Sequence, residues 1–279
     1  MSENTGIMST EDIEIQLILD AMALKYGYDF REYSRAHMKR RIKNRQIMGG
    51  FESISAMQHE ILTNKTFFDK ILPDFSINVT EMFRDPEVFA FIRKEVVPLL
   101  KTYPQLKIWH AGCSSGQEVY SLAILLKEEG LYDRCQIYAT DFNDKILQKA
   151  KYGIYPIDVV KQYTKNYIAA DGKESFSDYY IAKYESIIMD QSLKKNIIFA
   201  QHNLVTDQVF GQMHFIICRN VLIYFNNVLQ SRVLDLFRAS LRSGGMLCLG
   251  TKETLKEESV NAFDVYNKEF RLYRKKMVR

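Results

Sequence analysis

The sequence predicts an α/β fold: a doubly wound, mostly parallel sheet, preceded by a small all-helical domain and carrying a small insertion. Three observations carry that expectation. Residues 9–76 show only helix-spaced apolar patterns, and from about residue 107 short apolar runs alternate with helical stretches. Late in the chain a tyrosine- and serine-rich segment breaks that rhythm. Strands alternating with helices argue for parallel pairing with helices on both faces of the sheet.

The elements follow in order. "STEDIEIQLILDAMALKYG" offers Ser9 or Thr10 as a helix cap, places Glu11 and Asp12 in the first turn, and repeats Leu17, Ile18, Ala21 and Leu24 at helical spacing. Gly27 stops that helix. A second helix carries a basic window and ends near Gly49-Gly50, with only Met38 and Ile42 spaced for packing. "SISAMQHEIL" and "TFFDKIL" are shorter helices, the last closed by Pro73. "LKIWHAG" (106–112), "CQIYATD" (135–141), "NIIFAQHNL" (196–204), "MHFIICRN" (213–220) and "GGMLCLG" (244–250) read as strands, and "EFRLYRKK" as an added edge strand. The expected domains are 1–76, helical; 77–87, a linker contributing to a ligand site; and 88–279, the α/β domain with an insertion at 167–195.

Composition bounds the function. A chain of 279 residues with 47% hydrophobic and 26% charged residues can bury a sizeable core. No apolar run reaches the roughly 18 residues of a spanning helix, and the polar, acidic start is unlike a secretory signal. A cytoplasmic protein without membrane insertion is expected. Four cysteines, at 113, 135, 218 and 248, lie too far apart for paired metal ligands, and the five histidines are scattered, so no metal site is expected. The window 31–45, "REYSRAHMKRRIKNR", holds seven Lys/Arg and one Glu, while the remainder carries 31 basic and 33 acidic residues, a net of −2. The basicity is therefore confined to one surface.

"HAGCSSGQEVYS" (110–121) is the chemically suggestive stretch. Gly112 and Gly116 follow the first strand, where ligands of doubly wound sheets sit. The spacing G-x-x-x-G lacks the pyrophosphate fingerprint and the lysine of a phosphate loop. Asp141 ends the second strand, where a carboxylate can accept from both hydroxyls of a ribose. A glycine turn without phosphate chemistry plus a ribose-binding acid suits S-adenosylmethionine. Taken singly, the glycines serve equally as turn residues, and Asp141, Asn203 and Asn220 as helix caps.

Together the motifs are more specific. "INVTEMFRDPEVF", "WHAGCSSGQEVYSLA", "YATDFNDKILQKAKYGIYP", "HNL", "CRNVLIYF" and "GGMLCLGTKETL" occur in the order found in the CheR-type chemotaxis receptor methyltransferases, which this chain resembles over nearly its whole length. The resemblance implies an S-adenosylmethionine-dependent methyltransferase-type sheet. It implies transfer of a methyl group to glutamate side chains of a chemoreceptor, giving methyl esters and S-adenosylhomocysteine. For this chain it implies cofactor contacts from Asn78, Thr80, Arg84, Glu118, Asp141, Asn203, Leu204, Cys218, Arg219 and Asn220. Arg84 and Tyr224 are the candidate catalytic residues, Arg84 complementing the acceptor carboxylate and Tyr224 bordering the sulfonium, or else serving as a core aromatic. An ionised glutamate needs no general base, so alignment is the expected source of rate. Glutamate-rich receptor helices would be steered by Arg35, Lys39, Arg40, Arg41 and Lys43, unless these form a merely solvated helix face.

The chain departs from the family at Gln117 and Val119, where "GEEPYS" is common, at His110, and at "GTKE" (250–253), where "GHSE" is common. A nucleic-acid acceptor is disfavoured, because neither a base-reading motif nor the N/D-P-P-Y/F loop of amino-methylating enzymes is present. Methylation of a different protein acceptor stays open, as does a non-catalytic cofactor-binding module.

Overall fold

The computed structural model describes residues 7–75, 80–256 and 260–277. It divides into two compact units, 1–77 with 223–230, and 78–222 with 231–279. Among the described residues no helix is long and apolar enough to cross a membrane.

The first unit is helical: α1 (Thr10–Tyr26), α2 (Arg35–Met48), α3 (Ile54–Thr63) and α4 (Lys65–Phe75). Ser9 caps α1 by accepting from the Asp12 amide at 3.1 Å, and Gly27 ends it at φ 76°. Both agree with the expected cap and stop. The buried stripe of α1 is Ile15, Ile18, Leu19, Ala21 and Met22, so Ile18 and Ala21 are buried as expected, whereas Leu17 and Leu24 are 48% and 85% exposed. On α2, Met38 and Ile42 are buried as expected. Pro73 does not close α4 but lies inside it, and the helix runs on to Phe75. Its buried face, Phe68, Ile71, Leu72 and Phe75, supplies the packing that tolerates the missing amide. Tyr26 stacks on Phe68 with ring centroids 3.9 Å apart.

The second unit is built on a seven-stranded sheet. After α5 (Pro86–Phe91), a π turn (Ile92–Val96) and α6 (Val97–Lys101) come β1 (Leu106–Ala111), α7 (Gln117–Glu128), β2 (Cys135–Asp141) and α8 (Asp144–Tyr152). Next follow β3 (Ile154–Pro156), α9 (Val160–Ala169), β4 (Tyr180–Lys183), β5 (Ser186–Met189), β6 (Ile197–Gln201) and β7 (Met213–Cys218). The chain continues through α10 (Asn227–Ser240), β8 (Leu241–Leu249), β9 (Phe263–Asn267) and β10 (Leu272–Lys275). The order of the large sheet is β6-β2-β1-β7-β8-β10-β9. The pairs among β6, β2, β1, β7 and β8 are parallel, and β10 is antiparallel to both its neighbours. The chain builds outward from β1 through β2 to β6, then returns to β7 on the other side. That reversal makes the carboxyl ends of β1 and β7 the place for a ligand.

Two expectations need correction. The C-terminal strand is not at the edge: β10 lies between β8 and β9, and β9 forms the edge. Strand β9 has only five residues, too few to announce itself by alternation. The expected insertion contains β4 and β5, but their sheet, ordered β3-β5-β4, takes in β3 upstream. Three residues ending in proline give no strand pattern.

Trp109 on β1 is fully buried, with Phe210 and Phe237 packed edge-on at 4.9 and 5.4 Å, and its Nε1 donates to Thr140 Oγ1 at 2.8 Å. Trp109→Ala empties that site and orphans a buried hydroxyl. The expected loss is about 3–5 kcal/mol in urea-induced unfolding followed by circular dichroism.

Candidate functional site

The turn after β1 cannot be built from other residues. Gly112 has φ 71°, and a Cβ there would stand 2.6 Å from Val221 Cγ2. Gly116 has φ 89°, and its Cβ would meet Ala150 Cβ at 2.8 Å. Between them the Ser114 amide donates to Asp141 Oδ2 at 3.0 Å, and the Cys113 amide to the Thr140 carbonyl at 2.8 Å. The turn is thereby tied to the end of β2. Tyr155 on β3 donates to the Ser115 carbonyl at 2.8 Å, so the small sheet steadies it from outside. Gln117, where the family often has Glu, accepts from Ser115 Oγ at 2.7 Å.

Glu118 stands in the first turn of α7, where the helix dipole favours a carboxylate. Its Oε2 accepts from Arg219 Nη1 at 2.9 Å, and its Oε1 lies 3.2 Å from His110 Nε2. Arg219 also donates to the Arg84 carbonyl at 3.0 Å and pairs with Asp85. Burial opposes ionisation of Glu118. The Arg219 charge and the His110 bond outweigh it, with help from Arg84, and hold the carboxyl below its ordinary range. Burial likewise disfavours the Arg219 cation, but Glu118 and Asp85 more than offset it, so its pKa is raised.

Asp141 has the opposite balance. Its Oδ2 receives the Ser114 amide and its Oδ1 the Asn143 amide, each at 3.0 Å. Burial still dominates and raises its pKa. Asp141 caps no helix; Asn143 caps α8 by accepting from the Lys145 amide at 3.1 Å. Asn203 forms a local turn, its Oδ1 accepting from the Val205 amide at 3.0 Å, and Leu204 beside it is buried. Cys218 ends β7 fully buried. Asn220 caps nothing either: it adopts φ 60°, and its buried Oδ1 has no partner among the described residues.

Asn78 lies outside the described residues, and Thr80 is partly buried. Thus the sites expected from Arg84, Glu118 and Arg219 meet in one cluster, Asp141 is tied by the Ser114 amide to the turn that leads into α7, and Asn220 follows directly on Arg219. Tyr224 belongs to the helical unit, where its ring packs edge-on to His37 at 5.7 Å and under the Arg41 guanidinium at 5.9 Å.

Three residues of the site escape a reading of the sequence. His110 gives no signal beyond its place at the strand end. Asp85 resembles an ordinary helix start, yet its carboxylate makes no cap and goes to Arg219. Glu253 is buried and accepts the Asn220 amide at 3.1 Å and the Gly250 amide at 2.6 Å, which fixes the left-handed turn at Asn220. Its signal is the glutamate shared by "GTKE" and "GHSE".

The basic helix differs from the free cationic face expected. Lys39 and Lys43 pair with Glu11 at 2.5 and 2.6 Å, and Arg35 donates to the Asp12 carbonyl and to Gln16. Arg41 donates to the Asp74 carbonyl at 2.6 Å. Arg40 is exposed and makes no hydrogen bond or ion pair among the described residues. Lys39, Lys43 and Arg45 are paired because the acidic ends of α1 and α4 lie against the window, whereas Arg35 and Arg41 bond neutral oxygens.

A glycine-bracketed turn, a buried carboxylate closing β2 and a charged cluster at the carboxyl end of β7 define a nucleoside-binding α/β protein. Comparison with known proteins carries this further. Residues 13–76 match the CheR methyltransferase all-alpha domain, and residues 78–271 the CheR methyltransferase SAM binding domain. Cher3 of Pseudomonas putida is 48% identical over 95% of this chain and 97% of its own. A chemotaxis protein methyltransferase of Listeria innocua is 29% identical over 82% of this chain and 85% of its own, and chemotaxis protein methyltransferase 1 of Vibrio cholerae is 30% identical over 73% and 75%. The chain belongs to the CheR methyltransferase family, and is an S-adenosylmethionine-dependent protein-glutamate methyltransferase of the chemotaxis type. The residues present fit that cofactor. Positions 112 and 116 admit no side chain, Asp141 presents a buried carboxylate at the end of β2, and the buried Ser114 Oγ and Asn220 Oδ1 have no protein partner among the described residues.

Because Glu118 ionises below its ordinary value of 4.5 in the folded state, its stabilisation is present above that pH and is lost as pH falls through the lowered value. Glu118→Gln removes one partner of a buried pair, with an expected cost of about 3 kcal/mol at neutral pH. The difference in melting temperature between wild type and variant narrows as the pH is lowered below 4.5, measured by calorimetry.

Proposed function

We propose that Asp141 binds the ribose hydroxyls of S-adenosylmethionine, that Glu118 meets its methionine portion, and that Asn203, Leu204, Cys218, Arg219 and Asn220 line the remaining contacts. Asn78, Thr80 and Arg84 complete them from the linker. The observation that supports this reading best is the cluster of Glu118, Arg219 and Arg84, beside Asp141, at the carboxyl ends of β1, β2 and β7. When bound, the cofactor supplies an activated methyl group, and S-adenosylhomocysteine is left.

The acceptor is a glutamate in the glutamate-rich cytoplasmic helices of a chemoreceptor. A glutamate carboxylate is ionised near pH 7, so no residue of the chain has to remove a proton. Arg84 orients that carboxylate by charge complementarity, and Tyr224 borders the methyl group. Rate then comes from alignment, for which well-placed groups supply roughly 7–11 kcal/mol. Of the five basic residues proposed to meet the acceptor, Arg40 is exposed and makes neither hydrogen bond nor ion pair among the described residues, while Arg35 and Arg41 bond only neutral oxygens. Arg35, Lys39, Arg41 and Lys43 contribute to the field while holding their own partners.

Calorimetric titration with S-adenosylmethionine tests the cofactor assignment: binding to Asp141→Ala is expected to weaken tenfold or more, about 1.4 kcal/mol. Equal affinity of the two proteins defeats the ribose role. With a glutamate-rich receptor fragment as acceptor, Arg40→Glu is expected to raise KM several-fold and flatten its salt dependence, whereas Lys39→Ala has the smaller effect.

A further inference from the structure

The segment Met82–Asp85 has an unusual backbone. Phe83 and Asp85, neither of them glycine, both adopt left-handed conformations, at φ 51° and 52°, on either side of Arg84. That region is unfavourable for residues bearing side chains, the more so for a bulky aromatic and for a residue preceding proline. Such a conformation persists only where the surroundings over-determine it.

The surroundings do so from two helices. Ser121 on α7 is fully buried, and its Oγ accepts the Phe83 amide at 2.8 Å while donating to the Gln117 carbonyl at 3.0 Å. Asn166 on α9 donates from Nδ2 to the Met82 carbonyl at 2.9 Å. Its amide is oriented by Gln162, which donates to Asn166 Oδ1 at 2.7 Å. The Phe83 ring is wedged edge-on between Phe89 and Tyr167, both at 5.3 Å. Helix α9 is itself anchored: Tyr167 donates to Glu128 at the end of α7, and Glu128 pairs with the buried Arg93 at 2.6 Å. Arg219 closes the arrangement by holding the Arg84 carbonyl.

We propose that Ser121 and Asn166 are positioning residues that hold the strained segment and so set the place of Arg84 in the site. The inference rests on the cofactor role given to Arg84 above. Helices α7 and α9 then brace the linker from two sides. Neither residue touches cofactor or acceptor. Each acts through one backbone group, of Phe83 or of Met82.

The test is a double-mutant cycle on the full chain, read by calorimetric titration with S-adenosylhomocysteine and by the rate of tryptic cleavage after Arg84. Ser121→Ala and Asn166→Asp are each expected to weaken binding about fivefold, the loss of one net hydrogen bond, and to speed that cleavage. Ser121→Thr, which keeps the hydroxyl, restores both. In an Arg84→Ala background neither substitution weakens binding further, because the residue it positions is gone. Unchanged affinity in both single variants, or losses that multiply in the Arg84→Ala background, overturns the proposal. Wild-type affinity of Arg84→Ala itself defeats the role of Arg84. A clear Arg84→Ala effect with silent Ser121 and Asn166 variants defeats only the bracing. Asn166→Asp carries the test if Ser121→Ala does not fold.

Discussion

The site depends on one buried charge. The Arg219 side chain is 1% exposed, and a guanidinium taken out of water at such a place must find carboxylates and carbonyls or be displaced. It finds Glu118, Asp85 and the Arg84 carbonyl. Because Arg219 is fixed at the end of β7, those partners are fixed in turn. The first turn of α7, the start of α5 and the linker between the helical unit's sequence and the sheet are drawn to a common point. A hydrophobic substitute would fill the space but would set none of these directions. The pair also places Glu118 where the dipole of α7 assists it, so the helix and the ion pair favour the same location.

Two of the buried carboxylates of the site, Glu118 and Asp141, divide the labour through their surroundings. Glu118 faces a full cation and a histidine, and its charged form is secure. Asp141 accepts from backbone amides, with a lesser contribution from His110, and burial wins. Its charge is thus incompletely compensated by the protein's own groups. Ser114 Oγ and Asn220 Oδ1 are buried too, without a partner among the described residues. Polar groups left without partners in a packed interior are costly unless something else supplies the hydrogen bonds. Glu253 shows that the chain has paired its buried backbone amides here with care, which sharpens the contrast with the side-chain atoms it leaves open.

Local features are legible in the sequence, and long-range pairings are not. The glycines at 112 and 116, Asp141 at a strand end, the α1 caps and the Met38–Ile42 stripe are each a matter of residue type at short spacing. Strand β2 is legible to its boundaries. Glu118 and Arg219 are 101 residues apart, and nothing in either neighbourhood declares the other. Asp85 is opaque for the same reason: Asp-Pro is a good helix start, and only the fold reveals that the carboxylate is taken elsewhere. Strands β3 and β9 escape notice because three and five residues carry too little pattern. Where the ordered motifs identify residues that local chemistry cannot, such as Asn220, the structure supplies a physical reason in its left-handed turn held by Glu253.

The basic helix teaches the same lesson about charge. A count of seven cations in fifteen residues describes a patch only if the acids of the fold lie elsewhere. They do not. Glu11 and Asp12 sit in the first turn of α1, where its dipole favours them, and there they meet Lys39 and Lys43. Asp74, near the end of α4, takes Arg45 with its carboxylate and Arg41 with its carbonyl. Ion pairs of this exposure are weak and screened, so each cation loses little when its partner is exchanged. The pairing therefore tunes the helical surface more than it silences it. Among the described residues Arg40 makes neither hydrogen bond nor ion pair, and Arg35 and Arg41 spend their charge on neutral oxygens.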